Sequence, residues 1–114
     1  MTDLVVCTGI EGLPQLKRLA SAESWSNIFI IASEQIQIRS SKKVFVETIL
    51  ADAKLEEATE RIARFLSGKI DTLDVAVNFS DGNGVLHMAT LAALLKLGAG
   101  IRQVAATEEG VKEI

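Results

Sequence analysis

The amino-acid sequence predicts an α/β fold: a three-layer sandwich around a mainly parallel sheet of about five strands. Three observations carry this. Short, wholly apolar runs recur at Leu4 to Cys7, Ile28 to Ala32 and Leu73 to Phe79, the pattern of strands buried on both faces. Stretches of helical period separate them. The alternation of the two at this spacing is that of crossover units, which place helices on both faces of a parallel sheet.

Taken in order, Leu4 to Cys7 is rich in β-branched residues and is bounded by Thr8-Gly9. Pro14 before Leu16, Leu19 and Ala20 fits a short helix entered at its first turn, where proline sacrifices no needed hydrogen bond. Trp25, between Ser24 and Ser26, is expected to lie under that helix. Ile28 to Ala32 is the second strand. From Ser33 to Lys43 the pattern divides, with Ile36 and Ile38 alternating with polar residues and Ser40-Ser41-Lys42-Lys43 reading as a loop, so that segment stays open. Val44 to Leu50 is strand-like. Asp52, ahead of Leu55, Ala58, Ile62, Phe65 and Leu66, reads as the cap of an amphipathic helix that Gly68 closes. The acidic and basic residues of that helix, among them Glu57, Glu60, Arg61 and Arg64, form a solvated face. Leu73 to Phe79 is the next strand, Ser80 to Gly84 a tight loop, and Val85 to Leu97 a helix ended by Gly98 and Gly100. Ile101 to Ala105 is the last strand, followed by a polar tail. The whole is one Rossmann-like domain, residues 1–114.

Composition narrows the function classes. With 48% hydrophobic and 24% charged residues the chain has the balance of an ordinary folded domain. A net charge of -3 argues against duplex nucleic acid as a partner, because non-specific affinity for it comes from clustered Lys and Arg. Met1-Thr2-Asp3 directly before Leu4-Val5-Val6 lacks the basic region of a signal peptide, and no apolar run approaches the ~18 residues of a membrane span, so a cytoplasmic protein is expected. One Cys and one His make no disulfide framework and no metal-ligand cluster, and no cofactor is expected. Cys7, inside an apolar run, is expected to be a buried core thiol.

The helix Val85 to Leu97 is apolar almost all round, broken only by His87, Thr90 and Lys96. Either sheet covers one side and a second subunit the other, or the sheet is unusually enclosing; the first reading predicts a homodimer.

In open parallel sheets ligands bind beyond the carboxyl ends of strands, where loops lead into helix N-termini. The loop Asn78-Phe79-Ser80-Asp81-Gly82-Asn83-Gly84 stands there. Two glycines permit close backbone approach, and Asn78, Ser80, Asp81 and Asn83 bring donors and acceptors, a combination suited to phosphate or nucleotide edges. The competing reading is that Asp81-Gly82 and Asn83-Gly84 are turn dipeptides, with Asp81 or Asn83 capping the helix. Asp81 weighs against phosphate unless its carboxylate is turned toward backbone N–H groups. The spacing is not that of a P-loop or of a GxGxxG fingerprint. Thr8, Gly9 and Glu11, after the first strand, should share this sheet edge and form a second wall. His87, one helical turn on, carries an imidazole suited to general acid or base work.

This order of elements, with Thr8-Gly9 ending the first strand, Asn78 to Gly84 opening an apolar helix and Gly98-Ala99 before the last strand, resembles the CARF domain, the CRISPR-associated Rossmann fold. Family members carry Asn or Asp, any residue, Thr or Ser, three residues often including Gly, then Lys or Arg. Asn78, Ser80 and Gly82 match; Gly84 stands where Lys or Arg is expected. His87, or Lys42 and Lys43, could substitute for that cation. The resemblance implies a homodimeric sensor in antiviral defence that binds a cyclic oligoadenylate at the dimer interface, through this loop and the loop after the first strand. Such domains usually control an attached nuclease or winged-helix domain, which these 114 residues do not hold, so an effector protein is the expected partner. The ligand-binding residues are then Thr8, Gly9, Asn78, Ser80, Gly82, Asn83 and His87. Two alternatives stand beside this: a small ring-nuclease-type, metal-independent phosphodiesterase with Ser80 or Thr8 positioning the ring and His87 assisting, and a structural or partner-binding subunit without ligand.

Overall fold

A computed structural model describes residues 2–39 and 43–114. The described residues form six strands and three α-helices in the order β1 (Asp3–Thr8), α1 (Leu13–Ala22), β2 (Ile28–Ala32), β3 (Val44–Thr48), α2 (Leu55–Leu66), β4 (Val75–Asn78), α3 (Gly84–Lys96), β5 (Ile101–Thr107) and β6 (Gly110–Glu113), with a single 3-10 turn, Ile10–Gly12, leading into α1. The sheet order is β3-β2-β1-β4-β5-β6. All pairings are parallel except the last, where β5 and β6 form an antiparallel hairpin.

Burial follows from the period-two geometry of a strand. Val5 and Cys7 of β1, Phe29 and Ile31 of β2, and Val75 and Val77 of β4 point to one face, where α2 and α3 supply Ala58, Ile62, Leu66, Leu86, Ala89 and Leu94. Leu4, Val6, Ile28, Ile30 and Ala76 point to the other, against Leu16, Leu19 and Trp25. This is the three-layer α/β sandwich that the apolar runs predict. Trp25 is buried and donates its Nε1–H to the Leu19 carbonyl at 2.7 Å. Residues 33–39, left open by the sequence, contain no helix or strand; Ile36 and Ile38 pack on the α1 face in place of a crossover helix.

Four expectations are corrected. The cap before α2 is Lys54, without a side-chain hydrogen bond; Asp52 falls in the preceding turn, closed by Ala53 N–H to the Leu50 carbonyl at 3.0 Å. Leu73 lies outside β4 and is 87% exposed, because the strand begins only where it can pair with β1. The polar tail is β6: paired on one side only and largely exposed, it needs no apolar pattern. Lys43, one of the residues that could substitute for the missing cation, precedes β3 at the amino edge of the sheet, where its carbonyl accepts from Ile28 N–H, so it stands at the opposite end from the loop. Lys42 lies outside the described residues. Among the described residues no helix is long and apolar enough to cross a membrane.

Candidate functional site

Strand order reverses between β1 and β4: the chain leaves β1 toward β2 and β3 on one side, then crosses to β4 on the other. At such a reversal the loops leaving the two central strands diverge and open a crevice at the carboxyl edge. Here it measures about 580 Å³ and is walled by Gly9, Ile10 and Glu11 after β1, Ser33 and Glu34 after β2, Ala51 after β3, and Asp81, Gly82 and Asn83 after β4. That volume falls in the range of small-molecule sites.

Each wall has a local cause. Asn83 is the N-cap of α3: its Oδ1 accepts from Leu86 N–H at 2.8 Å. Gly82 sits at φ +94°, a backbone conformation costly for any residue with a Cβ. Asp81 is held twice. Its carbonyl takes a 2.6 Å hydrogen bond from His87 Nε2, and since a carbonyl only accepts, the imidazole proton resides on Nε2. Its carboxylate Oδ2 accepts from Gly9 N–H at 2.7 Å, so the β4–α3 loop is bolted to the loop after β1. His87 in turn stacks on Phe79, centroids 5.6 Å apart. Across the crevice Glu34 Oε1 accepts from Ile10 N–H at 3.1 Å. The lining is therefore acidic, with Glu11, Glu34 and Asp81 its charged members.

The structure brings Gly9, Glu11, Asp81, Gly82 and Asn83 to the crevice, with His87 behind Asp81, and turns Thr8, Asn78 and Ser80 elsewhere. Asn78 is buried; its Nδ2–H donates to the Val104 carbonyl of β5 at 2.8 Å, and its Oδ1 accepts from Ser80 N–H at 3.2 Å and Ser80 Oγ–H at 2.6 Å. Asn78 and Ser80 thus face the β5 side. Thr8 is buried below Gly9, donating its hydroxyl to the Gly9 carbonyl at 2.8 Å. The capping alternative holds for Asn83, whereas Asp81 binds Gly9 N–H instead of capping α3. Glu34 was missed. An acid two residues past the second strand was the available signal, since doubly wound dinucleotide-binding folds use an acid roughly 20 residues past their Gly-rich turn to hydrogen-bond a ribose.

Two further features lie near the loop. Cys7, under the loop, is buried and donates to Thr90 Oγ1 at 3.3 Å; burial pushes its thiol up to about 12, against a smaller lowering by Thr90. On α3, Val85, Met88, Leu91 and Leu95 form one outward stripe at helical spacing, with Met88 and Leu95 about 60% exposed. The stripe begins directly after the loop. No family model, curated protein or solved structure matches this chain.

Proposed function

We propose that the chain is a homodimeric binding module, similar to the CARF domain, that takes a cyclic oligoadenylate or a related nucleotide at the carboxyl edge of its sheet and signals to an effector protein in antiviral defence. The observation that carries this reading is the crevice at the β1/β4 reversal, bordered by the loop that opens α3, the helix whose exposed apolar stripe starts at Val85 directly after that loop. A second copy on the stripe would lie beside the loop, which is where an interface ligand has to be held. Binding is favoured over cleavage because the groups a nuclease would use are engaged in holding the loop: Ser80 Oγ with Asn78, Thr8 Oγ1 with the Gly9 carbonyl, His87 Nε2 with the Asp81 carbonyl.

Light scattering at micromolar protein should give the mass of a dimer, and cyclic oligoadenylates should raise the melting temperature, since a ligand at a hundredfold its Kd adds about 2.7 kcal/mol to the native state. Leu95→Glu places a charge on the stripe at a position 62% exposed in the single chain. It should yield a folded monomer that no longer responds to the ring. A wild-type monomer, or a dimer whose melting temperature no ring size moves, refutes the proposal.

A further inference from the structure

Backbone N–H groups that open a helical segment ordinarily attract anions. Here the chain supplies the anions itself: Asp81 Oδ2 accepts from Gly9 N–H at 2.7 Å and Glu34 Oε1 from Ile10 N–H at 3.1 Å. The two carboxylates flank Gly9 so closely that a Cβ there would stand 2.9 Å from Glu34 Oε1 and 3.5 Å from Asp81 Oδ2. A seat is built for Asp81. A Cβ on the buried Gly12 would stand 2.6 Å from its Oδ2 and 2.7 Å from its Cβ, and His87 pins its carbonyl. A phosphate brought to this wall meets one negative charge already bonded in its place and a second beside it. A hydroxyl or amino group meets carboxylate lone pairs beyond those that the N–H groups use.

Resting on the binding reading above, we propose that Asp81 and Glu34 make the crevice a reader of hydrogen-bond donors, the ribose hydroxyls or base amino group of a nucleotide, and exclude phosphate from the wall after β1. Asp81 is the specificity-determining residue. The ring phosphates of a cyclic ligand then lie outside the crevice.

The test is titration of the ¹⁵N-labelled protein with adenosine, AMP and inorganic phosphate, reading the Gly9, Ile10 and Gly82 amides. Adenosine should move these amides and bind roughly tenfold more tightly than AMP, and phosphate should leave them unmoved. Asp81→Asn keeps an acceptor for Gly9 N–H and removes the charge, so the preference for adenosine should shrink to about threefold or less; Glu34→Gln, at an exposed position, should shift it in the same direction. The inference is overturned if wild type binds AMP as tightly as adenosine, if millimolar adenosine leaves these amides unmoved, or if both folded variants retain the wild-type ratio. A monomer that ignores cyclic oligoadenylates yet prefers adenosine to AMP supports this inference and sinks the proposed function. A ring-binding dimer indifferent to the phosphate of AMP does the reverse.

Discussion

Gly12→Ala tests the bolt between the two central loops. Gly12 is buried with φ -84° and ψ -2°, a conformation alanine adopts readily. The backbone therefore favours the substitution by about 0.4–1 kcal/mol through the unfolded chain. The new methyl, however, would press on the Thr8 hydroxyl and lie 2.6 Å from Asp81 Oδ2 and 2.7 Å from Asp81 Cβ, nearer than carbon atoms approach. Overpacking of this kind costs about 1–3 kcal/mol. If Asp81 gives way, the bond to Gly9 N–H goes with it; a hydrogen bond to a charged group is worth about 1.5–3 kcal/mol, and the lower end suits a part-buried pair. The net expectation is a loss of about 2–3 kcal/mol, or roughly 10 °C in melting temperature for a chain of this size. Urea denaturation of wild type, Gly12→Ala, Asp81→Ala and the double variant, at matched protein concentration, closes a double-mutant cycle. Asp81→Ala alone should cost about 1.5 kcal/mol, and the double variant should be more stable than additivity allows by about 1–2 kcal/mol, because removing the carboxylate opens room for the methyl. A Gly12→Ala protein as stable as wild type, or an additive cycle, would refute the reasoning.

Two further predictions rest on single positions. The folded state holds the Cys7 thiol protonated up to about 12, against an ordinary value of 9.0. Its contribution to stability is thus complete below about 9 and is lost as pH climbs toward 12. Cys7→Ala should flatten that alkaline decline, and a thiol reagent at pH 8 should label Cys7 in urea but not in the native protein; equal labelling rates would end the argument. Gly84, at the first position of α3, is exposed with no heavy atom within 4 Å of an added Cβ, so Gly84→Lys fits without strain. It sets a cation where the CARF pattern carries Lys or Arg and, on the proposed function, should raise the thermal response to cyclic oligoadenylate; a folded dimer with no gain would remove ring-phosphate recognition at this loop.

What the sequence by itself determined is whatever depends on local pattern. Apolar runs at Leu4 to Cys7 and Ile28 to Ala32 can only be strands covered on both faces, and the near-continuous apolar surface of α3 forces part of it, from Val85 to Leu95, to remain uncovered in the single chain. The place of the candidate crevice was legible for the same reason, since a Gly-rich loop between a buried strand and a helix lies at the carboxyl edge of any parallel sheet. Tertiary structure alone decided which polar groups meet there. Asp81 reaches Gly9 across 72 residues and Glu34 reaches Ile10 across 24, and both contacts depend on strand order, which no local spacing encodes. Asn78 and Ser80 look like ligand groups in sequence, but β5 runs beside β4 and offers the Val104 carbonyl at 2.8 Å. A buried amide must find a partner, and the neighbouring strand supplies it.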